Sequence, residues 1–297
     1  MRNDRLSATA LLIAKSQLVL AHDPALSWAV GPDRARIYRA CVSAALGREW
    51  SPSAVTRTGY AIAERLSVPG IYLHYALRKL EIARIVDALI RERGVGQVVV
   101  VAAGFDPLCA LLHPLHPAVR WYEIDHPATQ RHKRGALSTL PTGDNLTLLP
   151  IDLTRESLAD LFRDGRLRRD VATLVIAEGI TMYLADDRIR AFFGAVRGDA
   201  GDGARHFVFT YMERQPNGSI HFRSSTRLVA WWLARTKESF VWGIEAQRLP
   251  PYLADLGFSL AGSWDAERLR DEYLVPRQLA DRTTAVGETI ALAMAGS

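Results

Sequence analysis

Cysteine is almost missing from this chain. Its 297 residues hold two, Cys41 and Cys109, far apart and without Cys-x-x-Cys or Cys/His spacing. Neither a disulfide framework nor a zinc cluster is signalled, and a reducing compartment, the cytoplasm, is expected. Long hydrophobic runs are missing too. The most apolar stretches, near residues 9–21 and 97–103, fall short of the roughly 20 residues that span a bilayer, so no membrane helix is expected. The opening "MRNDRLSATALLIAKSQLVLAHDP" has the outline of a secretion signal, but Asp4 and Lys15 interrupt it. It reads instead as an amphipathic helix capped near Ser7. The formal charge is +5, yet the arginines are interspersed with acids, as in "RLRRD" at 166–170, and no basic stripe carries interleaved aromatics. Nucleic-acid binding therefore lacks its usual electrostatic footprint. Neither a G-x-S-x-G elbow nor a Walker loop occurs, and no internal repeat or low-complexity tract is evident.

What is present is alternation. "YALRKLEIARIVDALIRERG" has helical apolar spacing and a stop at Gly94. Strands follow at "QVVVVAA", "VRWYEID", "NLTLLPID", "VATLVIAEG" and "ARHFVFTYM". Between them lie the helical stretches "DPLCALLHPL", "PATQRHKRGAL", "RESLADLF" and "DDRIRAFFGAVRG", the last expected to be capped by Asp186 or Asp187. Near-continuously apolar strands separated by helices imply an α/β protein, a doubly wound, mostly parallel sheet with helices on both faces. After Met212 the rhythm breaks into a tryptophan-rich insertion at 213–245, expected to be helical, before "FSLAGSW" and "GETIALAMA". Residues 1–72 also stand outside the alternation, with "SP" at 51–52 marking a helix start. They are expected to form a cap on a main domain at 73–297, packing with the insertion as a lid.

Ligands of open α/β sheets bind beyond the carboxyl ends of the strands. There the first four strands each deliver an acid: Asp106 in the turn Ala102-Ala103-Gly104-Phe105-Asp106-Pro107, then Glu123 and Asp125, Asp152, and Glu178. One such acid is commonly just the cap of the next helix. Four on consecutive strands are more than capping requires. A dinucleotide needs small residues at three fingerprint positions, here Ala102, Gly104 and Pro107, and its pyrophosphate would be ringed by carboxylates. S-adenosylmethionine reverses that objection, because it carries a sulfonium, an ammonium, ribose hydroxyls and an adenine amine, but no phosphate. Gly104 would let the backbone approach, and an acid about 20 residues later suits the ribose diol. Glu123 and Asp125 both lie at that distance. One of the two is expected to face away, and the spacing does not choose between them.

"LRK" at 77–79, "QVVVVAAGFD" at 97–106, "YEIDHPATQRHKR" at 122–134, "LLPIDL" at 148–153, "IAEGITMYL" at 176–184 and "GETIALA" near the end together resemble the leucine carboxyl methyltransferase family, including its bacterial branch similar to polyketide O-methyltransferases. The resemblance runs from about residue 72 to the C-terminus. It implies a seven-stranded, Rossmann-like class I methyltransferase that transfers a methyl group from S-adenosylmethionine to an oxygen of a small molecule, foremost a carboxylate. By this resemblance Arg78 meets the methionine carboxylate, and Ala102, Ala103 and Gly104 touch the methionyl moiety. Asp125 holds the ribose, Asp152 and Leu153 flank the adenine, and Glu178 sits by the amino-acid end. Two departures stand out. Ala102 replaces the first glycine of the usual Gly-Ala-Gly turn, and Pro107 and Leu108 follow Asp106 where threonine and arginine are common.

A carboxylate acceptor needs no general base, whereas a phenol or alcohol does. His221 in the insertion is the best candidate base, and Tyr183 and Tyr211 are candidates for the sulfonium side. Arg214, Arg223 and Arg227 could pair with an acceptor carboxylate. Trp231, Trp232 and Trp242 suggest an apolar acceptor pocket. His113 and His116 lack a companion ligand, and no metal site is expected. The alternatives are a cofactor-binding protein whose altered first turn has lost catalysis, and an NAD-dependent oxidoreductase, disfavoured by the missing glycines.

Overall fold

The computed structural model describes residues 7–140, 143–225 and 240–295. Seven strands form one sheet: β1 (Gln97–Val101), β2 (Arg120–Asp125), β3 (Leu146–Pro150), β4 (Thr173–Ala177), β5 (Arg205–Met212), β6 (Phe258–Trp264) and β7 (Glu288–Ala295). Their order is β3-β2-β1-β4-β5-β7-β6. The first five run parallel, with Val99 paired to Tyr122 and Val175, while β7 runs antiparallel between β5 and β6. The chain changes direction of travel between β1 and β4, which is where such sheets receive ligands.

Every residue of β1, β4 and β5 is buried, as their β-branched and aromatic runs require of strands covered on both faces. One face carries Val98, Val100, Trp121, Leu174 and Ile176, packed with α1 (Ala8–Leu20), α3 (Pro32–Leu46), α5 (Ile71–Arg93) and α7 (Pro127–Leu137). The other carries Val99, Val101, Val175, Phe207 and Phe209, packed with α8 (Leu158–Arg163), α9 (Asp186–Arg197) and α10 (Leu249–Asp255). There the Phe193 ring meets Phe207 and Phe209 edge-on, at 4.9 and 5.1 Å between centroids. Helix α4 (Ala54–Leu66) and the shorter α2 (Ser27–Val30), α6 (Leu108–Leu112) and α11 (Ala266–Tyr273) complete the α-helices among the described residues.

Local chemistry accounts for most helix starts. Ser7 and Ser53 cap α1 and α4 by accepting from the amides of Ala10 and Thr56, and Ser157 forms a reciprocal capping box with Asp160 at α8. At α9 the cap is Ala185, with no side-chain bond; Asp186 and Asp187 lie in the first turn, where they favour the helix through its dipole. Helix α1 is not amphipathic. Its buried side, Ala14, Ser16, Gln17, Leu18 and Leu20, mixes polar with apolar residues where it packs against α3 and α5, and Gln17 donates to the Tyr72 carbonyl at 2.9 Å. Helices α1, α2 and α3 thus share the core of the sheet domain. Where the insertion is described, at 213–225 and 240–245, it is not helical: Pro216, Asn217 and Gly218 form a turn, and Glu213 bridges to Ile244. The rest of the expected helical lid, with Arg227, Trp231 and Trp232, lies outside the described residues.

The start of α5 is pinned by a chain crossing. Gly70 caps it with φ +79°, and a Cβ there would lie 2.4 Å from the Thr283 carbonyl oxygen. The Ala285 amide donates back to the Gly70 carbonyl at 3.2 Å, just before β7 begins. Gly70→Ala combines a left-handed backbone with overpacking, so it should lower the free energy of unfolding by about 2–4 kcal/mol, measured by urea titration.

Candidate functional site

Strand β1 ends in a turn that keeps a glycine-like backbone without two glycines. Ala102 has φ +54° and Gly104 φ +52°. The Ala103 amide donates to the Ile124 carbonyl at 3.1 Å, and the Gly104 amide donates to Asp125 Oδ2 at 2.6 Å. The other Asp125 oxygen accepts from the His126 amide, also at 2.6 Å. The end of β2 and the first turn are therefore locked together. Burial pushes the Asp125 carboxyl above its ordinary range, opposed by these two amides. Helix α1 lies over the turn, its Ala10 methyl 3.3 Å from where a Gly104 Cβ would stand.

Beside the turn runs a lattice of buried ion pairs. Arg78, on the inner face of α5, donates to Glu178 at the end of β4 and to Glu288 at the start of β7, the latter at 2.5 Å. Its guanidinium also lies over the Tyr75 ring, 4.8 Å from the centroid. Lys79 Nζ sits 2.9 Å from both Asp106 and Glu178. On the other side His74 Nε2 lies 3.0 Å from the Glu288 oxygen that Arg78 uses. Burial alone would raise Asp106 and Glu288, but Lys79 and Lys133 bring the first down to about 2, and Arg78 and His74 bring the second to about 2. Gly179, with φ +67°, follows Glu178 and leaves Arg78 Nη2 room at 4.0 Å from a would-be Cβ.

Glu123 and Asp125 point to the same face of β2. Residues two apart on a strand must do so, and the expectation that one faces away is corrected on that ground. What separates them is depth and partner. Glu123 is 1% exposed and paired with Lys133 at 2.5 Å, and Lys133 also donates to the Asp106 carbonyl at 2.6 Å. Asp125 stands at the strand end and forms no ion pair among the described residues. Cys109 and Cys41 lie beside the Glu123–Lys133 pair, and burial raises both thiols, Cys41 to about 12, so neither is a ready nucleophile. At the end of β3, Asp152 caps its own turn by accepting from the Thr154 amide and hydroxyl at 3.0 and 2.6 Å, with Leu153 half-buried beside it.

The structure thus brings Arg78, Ala102, Ala103, Gly104, Asp106, Asp125 and Glu178 to one edge, with Asp152 and Leu153 along it and Glu123 beneath. Tyr211 is elsewhere: it is 1% exposed in the aromatic core on the other face, its hydroxyl facing Ser263 and Thr289. Tyr183 follows the β4 turn, 42% exposed, with its ring 5.5 Å from Phe240. His221 is held locally, Nδ1 lying 2.9 Å from the Phe222 carbonyl, while its own carbonyl abuts Gly287. Arg223 pairs with Glu213 at 2.5 Å, Arg214 donates to the Gly243 carbonyl, and Trp242 is buried in the second core. His113 bonds Asn145, and His116 bonds Asp87. Among the described residues no cluster of three His, Cys, Asp or Glu side chains could hold a metal ion, and no helix is long and apolar enough to cross a membrane.

His74, Lys79, Lys133 and Glu288 were not singled out by sequence reasoning, although all but His74 fall inside the quoted motifs. The available signal was a charge set in an otherwise buried element, as with Glu288 before "TIALAMA".

Comparison with known proteins agrees with this topology. The sequence profile of the leucine carboxyl methyltransferase family matches residues 8–197. No curated protein matches. Among solved structures, a candidate methyltransferase from Thermobifida fusca YX superposes with TM-score 0.55 at 17% identity, covering 93% of this chain and 99% of its own. A duf574 family protein from Streptomyces avermitilis MA-4680 gives TM-score 0.57 at 13% identity, covering 87% and 96%. At these identities the two structures speak for the fold.

Ala102 occupies backbone space that costs an L-residue roughly 1–2 kcal/mol, partly offset because glycine is freer when unfolded. Ala102→Gly should therefore raise the free energy of unfolding by about 0.5–1 kcal/mol in denaturant titrations.

Proposed function

Because the chain belongs to the leucine carboxyl methyltransferase family, whose membership supports S-adenosylmethionine-dependent methyl transfer, we propose that it methylates an oxygen of a small-molecule acceptor. The observation that carries this reading is a complementary pair of buried atoms without a hydrogen-bond partner among the described residues. Arg78 Nε is a donor and Glu178 Oε2 an acceptor, on side chains already locked to one another. An amino-acid zwitterion supplies the matching carboxylate and ammonium, and an orphaned buried polar atom costs about 1–3 kcal/mol until something does.

The remaining roles follow the edge of the sheet. Asp125, oriented by two backbone amides, has lone pairs left for a ribose diol. Asp152 and Leu153 offer a polar and an apolar contact to the adenine. The Ala102–Gly104 turn brings main chain rather than side chain to the ligand, and its retained left-handed backbone supports a working site over a degenerate one.

When bound, S-adenosylmethionine supplies a methyl group on a sulfonium that is already an activated leaving group. The protein's work is then to orient and to exclude water, worth up to roughly 7–11 kcal/mol in well-aligned systems. Beside the first turn of α5, Tyr72, Met182, Met212 and Phe222 form a small apolar cluster with Phe240 against it, which supports an apolar or aromatic acceptor. The acceptor oxygen belongs to a carboxylate or to a hydroxyl, and the two differ in whether a base is needed.

Calorimetric titration with S-adenosylmethionine, S-adenosylhomocysteine and NAD tests the reading: the first two should bind and NAD should not. Asp125→Ala and Glu178→Gln should each weaken S-adenosylhomocysteine binding about 10- to 100-fold, the worth of a hydrogen bond to a charged group, with the unfolding transition still cooperative. Unchanged affinity in both variants would overturn the assignment.

A further inference from the structure

One buried side chain in the ion-pair lattice is left over once the cofactor is accounted for. His74 lies one helical turn before Arg78, is 2% exposed, and places Nε2 3.0 Å from Glu288 Oε2. Its other nitrogen, Nδ1, is buried and has no hydrogen-bond partner among the described residues. The ring packs near Tyr75 and Phe222, with centroids at 6.1 and 5.8 Å, and both of those rings belong to the apolar cluster beside the start of α5. A histidine with one nitrogen fixed by a buried carboxylate and the other left without a partner is the arrangement by which proteins build a general base.

We propose that His74, oriented by Glu288, is the general base of this enzyme, and that its acceptor is therefore an aromatic hydroxyl compound rather than a carboxylic acid. The inference rests on the methyltransferase reading above. In the step, the acceptor O–H proton passes to His74 Nδ1. The acceptor oxygen forms the new C–O bond as the S–CH3 bond breaks, and that bond's electron pair stays on sulfur, which becomes a neutral thioether. The positive charge lost from sulfur appears on the imidazolium, beside Glu288, and leaves to solvent as a proton. The groups facing His74 are Glu288 from β7, Arg78 and Tyr75 from its own helix and the uncharged Phe222 from 213–225; Thr210 of β5 faces Glu288. Glu288 is the one anion among them, and it is shared with Arg78.

The base needs Nδ1 unprotonated and Nε2–H directed at Glu288. Nitrogen-15 NMR of the full chain labelled at histidine, at neutral pH, reads this directly, with the signal assigned by its loss in His74→Gln and, should that variant not fold, by its shift in Glu288→Gln. The Nε2–H tautomer supports the proposal; an imidazolium or the Nδ1–H tautomer overturns it. In parallel, simple phenols and the matching benzoates are offered with S-adenosylmethionine. Phenols should be methylated, His74→Gln should slow that transfer about 10²- to 10⁴-fold, and S-adenosylhomocysteine affinity should stay the same. Methylation of benzoates but not phenols overturns the proposal; if neither reacts, the tautomer decides. Failure of wild-type protein to bind S-adenosylhomocysteine would instead overturn the methyltransferase reading, and the NMR measurement would still report on the dyad.

Discussion

The Arg78 guanidinium is the interaction on which the edge of the sheet depends. It joins helix α5 to two strands that are not neighbours, β4 through Glu178 and β7 through Glu288. Burying so many ions costs several kcal/mol each and is repaid only when every partner is in place, so the lattice is stable as a unit and poor in fragments. From His74 to Glu123 it strings three permanent cations and four carboxylates into one continuous path below the ligand edge. The positions of the first turn, of the β4 end and of α5 are therefore one geometric fact rather than three.

That lattice revises the electrostatic argument for the ligand. Counting acids at the strand ends suggests a strongly negative rim, yet Asp106, Glu178 and Glu123 are each matched by a lysine or arginine close by. Asp125 is the acid of the edge without an ion pair among the described residues, held instead by two backbone amides and the Thr129 side chain. Under the proposed function, recognition of a cationic nucleoside would rest less on a diffuse field than on a few directed lone pairs and N–H groups, which would also make it less sensitive to salt.

The fold was legible because its signals are local. All-apolar strands, Pro127 opening α7, Gly94 closing α5 and the serine caps each declare themselves within a few residues. The acids of the edge were legible because strand ends could be placed. The partners were not: Arg78 meets Glu178 and Glu288 across 100 and 210 residues, and no periodicity encodes such distances. Tyr211 illustrates the opposite failure, since a strand-end tyrosine reads as site lining until the parity of β5 turns it toward Phe209 and the far core.

The placement of β7 has a consequence for biosynthesis. Among the described residues strand β6 pairs only with β7, and β7 inserts between β5 and β6 although it follows both in the chain. A nascent chain that has emerged only through β6 therefore carries an unpaired edge, and an Arg78 lacking one of its two carboxylates. Contacts of such long sequence separation form late and leave apolar strand edges exposed meanwhile. The strand that emerges after β6 both closes the sheet and balances the charge beneath the candidate site, so ordering of that site waits on β7.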